Sequence, residues 1–165
     1  MRSHAIAVVL LALALLSGPA HADKMLMTRV PMKADIAIEY LKSAIEEYGY
    51  AVAHVQMCDS GMKGFGLESD VYRVVFFGKI DEVRRIVAKH PGFAAYLPLK
   101  IAVVAERGET VMSAVNPRTF DAYYPKDREM KIQFGRWRND ILDIFDEVYR
   151  AAGGKVARRL PSNTP

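Results

Sequence analysis

The eight residues Val71-Tyr-Arg-Val-Val-Phe-Phe-Gly78 carry the strongest strand pattern of this 165-residue chain. Apart from one arginine, the residues before the glycine are β-branched or aromatic, and such side chains favour strands. Gly78 ends the strand, and Ile80 to Lys89 then place apolar side chains at helical spacing with charged ones between them. A strand followed at once by an amphipathic helix is typical of a domain in which helices cover a sheet.

The segments before this pair predict a similar arrangement. Lys24 to Val30 is a predicted strand, which Pro31 ends because proline cannot donate to a ladder. Ala34 to Tyr48 is a predicted helix with an apolar stripe, and Gly49 supplies the left-handed residue that ends it. Tyr50 to Met57 alternates small or apolar residues with polar ones, which predicts a second strand.

Two further strands and a long helix follow. Lys100 to Ala105 and Thr110 to Val115 are predicted strands joined by a hairpin turn at residues 106–109. Met130 to Ala152 is a predicted helix that either completes the core or docks on a partner. We expect Trp137, with the pair Tyr123-Tyr124, to belong to the core or to a dimer interface. The bulky stripe of the helix consists of Phe134, Trp137, Ile141, Phe145, Val148 and Ala152.

The order of elements is therefore β-α-β-β-α-β-β followed by a helix. Strands adjacent in sequence usually pair antiparallel, and helices that follow strands cover one face of a sheet. This order predicts an α+β fold, a two-layer sandwich with a mixed or antiparallel sheet and a long C-terminal helix. We expect a single domain over residues 23–154 and a flexible tail over residues 155–165.

The first 22 residues have the layout of a secretory signal peptide. Arg2 and His4 precede an apolar run from Ala5 to Leu16, and the small-residue triplet Ala20-His21-Ala22 follows. The run is shorter than the roughly 20 apolar residues that span a bilayer. We therefore expect cleavage after Ala22, a periplasmic or secreted location, and no membrane anchor after cleavage. A retained membrane anchor is the alternative interpretation.

Charge and cysteine content exclude several classes of function. The formal net charge is +4 and the basic residues do not cluster among aromatic ones, so we expect no nucleic-acid partner. Cys58 is the only cysteine, which excludes an intramolecular disulfide, a Cys-x-x-Cys redox pair and a thiolate zinc cluster. No Gly-x-Ser-x-Gly motif occurs, and the sequence shows no complete catalytic constellation.

His54, Cys58 and Met62 form the candidate metal site. On an extended strand His54 and Cys58 share one face, whereas Val55 and Met57 point to the other, which we expect the first helix to cover. Met62 lies in the following loop and could complete the site. Imidazole, thiolate and thioether suit copper(I) or haem iron. The alternative interpretation is structural, because methionines fill gaps in cores and single cysteines are commonly buried and inert.

Cys58 by itself supports a second hypothesis. An unpaired cysteine outside the cytoplasm is a candidate for intermolecular pairing or for carrying a sulfur adduct. The chain could then act as a sulfur carrier or a thiol enzyme, with Cys58 as its catalytic group.

Four short motifs of the chain lie at the ends of predicted elements. They are Gly49-Tyr50 at the end of a helix, Phe76-Phe77-Gly78 at the end of a strand, Pro91 after a short helix, and Leu97-Pro98 before the strand Ile101 to Val104. In these motifs the chain resembles the family known only as domain of unknown function 302. The resemblance covers about residues 25–115 and implies a small α+β domain that forms a homodimer. It implies no reaction mechanism.

Taken together, these features predict an exported soluble binding or interaction module that forms a homodimer and has no catalysis of its own. The alternatives are a copper or haem binder that uses His54, Cys58 and Met62, and a sulfur carrier or thiol enzyme that uses Cys58.

Overall fold

The computed structural model describes residues 24–60, 65–66 and 71–154. The predicted signal peptide, Met62 and the predicted tail lie outside these residues. Within them, the strands and helices in chain order are β1 (Met25–Val30), α1 (Ala34–Glu47), β2 (Ala51–Met57), β3 (Tyr72–Gly78), α2 (Ile80–Lys89), β4 (Leu99–Glu106), β5 (Glu109–Val115) and α3 (Arg128–Ala151). Short 3-10 helices run over Pro91–Tyr96 and Pro117–Tyr123.

The strands form one sheet in the order β1-β5-β4-β3-β2, and every neighbouring pair is antiparallel. The predicted α+β fold is therefore confirmed, and of the two kinds of sheet expected the antiparallel one is present. β1 and β2 lie at opposite edges, because α1 carries the chain across the sheet between them. The edge strand β2 has a bulge at Ala53, where the register with β3 shifts between Val52 and His54.

The helices pack on one face of the sheet. Along β4 and β5 the core-facing residues Ile101, Val103, Met112 and Ala114 are buried, whereas the residues between them are not. This period of two is the pattern of a sheet that buries one face. The long helix α3 completes the core rather than standing apart from it. Its buried residues are Met130, Gln133, Phe134, Trp137, Ile141, Ile144, Phe145 and Val148.

The helix ends follow the local sequence. Gly49 after α1 and Gly153 after α3 have positive φ angles of 74° and 80°, which an L side chain rarely adopts, and each helix ends within two residues before its glycine. The start of α3 is capped by Asp127, whose carboxylate accepts a hydrogen bond from the Met130 amide at 3.0 Å. Lys89 lies 3.3 Å from the same carboxylate.

Asp127 predicts a specific acid sensitivity. The hydrogen bond from the Met130 amide, together with Lys89, holds the pKa of Asp127 below its ordinary value of 3.8. A lowered pKa stabilises the fold at pH values above 3.8, and this contribution is lost as the pH falls through the lower folded-state value. We expect Asp127→Asn, which keeps a capping oxygen, to lose less free energy of unfolding than the wild type between about pH 5 and about pH 2.

Urea unfolding at a series of pH values measures this difference. Asp81→Asn is the matched control, because the Asp81 side chain is 93% exposed and its acid response should equal that of the wild type. An Asp127→Asn variant with the same acid response as the wild type would contradict the assignment.

Candidate functional site

The face of the sheet that points away from the helices is largely apolar. The residues on it alternate with the buried core positions, and β3, β4, β5 and β1 all contribute. Met27 is 65% exposed, Val115 is 49% exposed and Met25 is 46% exposed. We call this surface the open sheet face. Its apolar and small residues are Met25, Met27, Val74, Phe76, Ala102, Val104, Val111, Ser113 and Val115, and the register places Tyr72 and Lys100 on it as well.

Charged residues border the open sheet face at the hairpin end. Arg29 pairs with Glu106 and lies 3.5 Å from Glu109. The Arg29 guanidinium lowers the pKa of Glu106, so this carboxylate is ionised at neutral pH. The surface thus has an apolar centre and a polar edge, which is the usual anatomy of a protein interface.

The strand β2 presents His54 and Cys58 on this same side of the sheet. His54 is in register with Phe76, and the Cys58 amide donates to the Tyr72 carbonyl at 2.9 Å. His54 Nε2 lies 3.2 Å from Gln56 Oε1. Cys58 is a free, half-buried cysteine. The register therefore agrees with the expectation that His54 and Cys58 lie on one face of the sheet.

The expectation for the opposite side of β2 is right at only one of two positions. Val55 packs against the core, but Met57 is 56% exposed rather than covered by α1. The reason is that Met57 lies at the end of an edge strand, opposite Arg73, which forms an ion pair with Asp59 at 2.6 Å. This end of β2 lies beyond the apolar core.

The candidate metal site stays a prediction. Four residues of extended strand separate the Cα atoms of His54 and Cys58 by about 13 Å, so β2 by itself does not bring both side chains to one ion. Met62 is not among the described residues. In the ranges 24–60, 65–66 and 71–154, no group of three His, Cys, Asp or Glu side chains is placed to hold a metal. The thiol hypothesis for Cys58 likewise remains a prediction.

A cavity of about 170 Å³ lies at the end of the sheet where β4 begins and β5 ends. Both 3-10 helices and α3 close it. Among its walls, Phe93 stacks on Trp137 with 6.3 Å between ring centroids, and Tyr96 lies 4.6 Å from Phe120 by the same measure. The lining residues are Phe93, Tyr96, Leu99, Lys100, Val115, Pro117, Phe120, Trp137 and Ile141.

The sequence patterns did not predict this cavity. Of the aromatic residues that they singled out, Trp137 is buried and lines the cavity, Tyr124 packs on Phe93 and Phe134, and Tyr123 is 77% exposed. The available signal was the density of aromatic residues in the two irregular segments that begin at Pro91 and Pro117. That signal does not show that the two segments meet.

A part-buried polar network joins α2 to α3 beside the cavity. Glu82 pairs with Arg136 at 2.5 Å, accepts from Trp137 Nε1 at 3.2 Å and lies 3.4 Å from the Gln133 amide nitrogen. The Tyr50 hydroxyl donates to Asp140, and burial together with this carboxylate raises the pKa of Tyr50. Glu82 has a cationic partner and Tyr50 stays protonated, so this network has a structural role and holds α2 against α3.

Comparisons with known proteins agree with this architecture. Residues 26–148 match the family model described as "Domain of unknown function DUF302". A solved structure titled "Crystal structure of uncharacterized conserved protein DUF302 from Bacillus stearothermophilus" superposes with a TM-score of 0.68 and 17% identity, over 77% of this chain and 99% of that one. Curated proteins give no significant match. Within the described residues, none of the helices has the length and apolar character needed to cross a bilayer.

Proposed function

Because this chain belongs to the DUF302 family, we propose that it is an exported binding and interaction module that works as a homodimer joined through its open sheet face. The proposal of export rests on the apolar run Ala5 to Leu16 and the cleavage triplet after it. The proposal of a dimer rests on one observation, the contiguous apolar surface opposite the helices.

The size of the open sheet face supports a protein interface. The outer side of the whole five-stranded sheet, which is the open sheet face together with the outer residues of β2, covers about 550 Å², from five strands about 4.8 Å apart and about seven residues of 3.3 Å each. The four strands of the open sheet face give about 440 Å² of this area. Two whole outer sides together bury about 1,100 Å², which is above the roughly 1,000 Å² that a specific interface needs, so the edge strand β2 has to take part in the proposed contact. An apolar patch of this extent is among the largest that single soluble proteins expose, and such patches are often functional.

The shape of the open sheet face favours a second copy of this chain as its binding partner. Ala102 and Ser113 are in register at its centre, and the larger Val74 and Met27 flank them on the neighbouring strands. The centre is therefore shallow and the flanks are raised. A two-fold axis places the same patch on both partners, so the raised flanks of one copy can pack into the shallow centre of the other. Packed sheets stand about 10 Å apart, which such interdigitation fills.

A charged residue introduced at the centre of the open sheet face tests whether this face forms the dimer interface. We expect the purified protein to run as a dimer at micromolar concentration in size-exclusion chromatography with light scattering. Ala102→Glu should weaken dimerisation about hundredfold or more, because the interface would then bury an unpaired carboxylate.

The proposal of export has its own test. The intact mass of the protein from its native host reports whether residues 1–22 have been removed.

The matched control is Ile36→Glu, which adds the same charge at a position on α1 that is 50% exposed. This variant should remain a dimer, and circular dichroism should show that both variants are folded. A wild-type monomer at about 100 μM, or an Ala102→Glu variant that dimerises like the wild type, would rule out the proposed interface.

A further inference from the structure

The cavity at the end of the sheet connects the core with the surface. Its inner wall is formed by Phe93, Trp137 and Ile141, each only 2% exposed. Its mouth is formed by residues that solvent reaches, including Tyr96 and Val115, each 49% exposed. A ligand could therefore enter without opening the core.

The volume of the cavity limits what it can hold. Its 170 Å³ is close to the about 150 Å³ of an engineered apolar cavity that stays dry and binds benzene. It is smaller than the roughly 300 Å³ at which pockets for drug-sized ligands begin. The space therefore fits a single six-membered ring with a small substituent.

The walls favour an aromatic ring. Phe93, Tyr96, Phe120 and Trp137 surround the space, and their rings contact one another both edge to face and nearly parallel. A guest ring can continue this arrangement, because offset-stacked and edge-to-face pairs are the preferred aromatic contacts.

Lys100 is the charged residue of the lining, and it is exposed. Its ammonium lies 5.8 Å from the centroid of the Phe76 ring. In the part of the chain that the structure describes, no carboxylate forms an ion pair with it. Lys100 therefore leans towards Phe76 on the neighbouring strand, and its flexible stem allows the ammonium to turn to a group at the mouth beside Val115.

We propose that this cavity binds a small aromatic carboxylate, with the ring among Phe93, Phe120 and Trp137 and the carboxylate on the ammonium of Lys100. The ring supplies apolar contact in a preformed space, and the carboxylate stays at the wet mouth, where its charge needs no burial. Val115 belongs both to the mouth of the cavity and to the open sheet face, so ligand binding and dimerisation are measured separately below.

Trp137 provides the measurement, because it is the only tryptophan of the chain and lines the cavity. Titration of the purified protein with benzoate should change the Trp137 fluorescence saturably. Lys100→Met should weaken benzoate binding about three- to fivefold, the range of an exposed ion pair, while binding of neutral benzyl alcohol changes less than about twofold. Lys42→Met, which removes a lysine from α1 away from the cavity, is the matched control and should bind benzoate like the wild type.

A cavity-filling variant gives the second measurement. Leu99→Phe should abolish the response to both probes, with circular dichroism confirming the fold. If this variant does not fold, the wild type still tests the proposal, because it should bind benzoate more tightly than the neutral benzyl alcohol. The absence of any saturable response to benzoate would overturn the proposal, and so would equal benzoate affinity in Lys100→Met and the wild type. Light scattering of the wild type during the benzoate titration reports dimerisation separately, so a monomer that still binds benzoate contradicts the proposed dimer and leaves this site standing.

Discussion

Replacing Trp137 with alanine is expected to lower the free energy of unfolding by about 3–5 kcal/mol. Trp137 is 2% exposed and packs against Phe93 and Phe134, with ring centroids 6.3 Å and 6.1 Å away. Its indole nitrogen also donates to Glu82 at 3.2 Å. Truncation enlarges the existing cavity and removes this donor. Because small domains are stable by only about 5–15 kcal/mol, this loss is a large fraction of the total stability.

Urea unfolding followed by circular dichroism measures this loss, since the variant has no tryptophan fluorescence. Tyr123→Ala is the matched control, because it removes an aromatic ring that is 77% exposed and should change stability by no more than about 0.5 kcal/mol. A loss of less than about 1 kcal/mol for Trp137→Ala would mean that α3 contributes little to the core.

Replacing Glu82 with alanine is expected to cost about 2–4 kcal/mol. Glu82 accepts from Trp137 and pairs with Arg136, and its side chain is 18% exposed. Its removal leaves the buried indole N–H without an acceptor and leaves Arg136 with only the more distant Asp140, at 3.7 Å. An unsatisfied buried donor loses its full hydration, so the effect exceeds that of a surface ion pair.

Two further variants separate charge from hydrogen bonding. Glu82→Gln keeps an acceptor for the indole and should lose only about half as much stability as Glu82→Ala. Glu39→Ala removes a carboxylate that is 71% exposed and pairs with Lys42 on the surface of α1, and it should cost no more than about 0.5 kcal/mol. Equal losses for Glu82→Ala and Glu39→Ala would show that the network joining α2 to α3 adds nothing to stability.

The local elements of the fold were predictable from short stretches of sequence. The strand Tyr72–Gly78 and the helix Ile80–Lys89 follow from β-branched and helical patterns within about ten residues each. The hairpin between β4 and β5 follows from Arg107-Gly108, both of which adopt positive φ angles. Such features depend on steric preferences of neighbouring residues, which the sequence displays directly.

The candidate sites were predictable only in part, because they combine distant residues. The alternation of β2 placed His54 and Cys58 on one face, since a strand has a period of two. The exposure of Met57 was not predictable, because it depends on how far the helix layer extends over an edge strand. The bulge at Ala53 is also a product of pairing between β2 and β3 rather than of β2 alone.

The amino-acid sequence by itself determined the number, type and approximate ends of the helices and strands. Only the tertiary structure decided that β1 pairs with β5 rather than β2, that Glu82 meets Trp137, and that two irregular segments close a cavity with α3. The physical reason is the distance along the chain over which each effect acts. Backbone preference and periodicity act between near neighbours, whereas strand partners and cavities result from burying all the apolar faces of the chain at once.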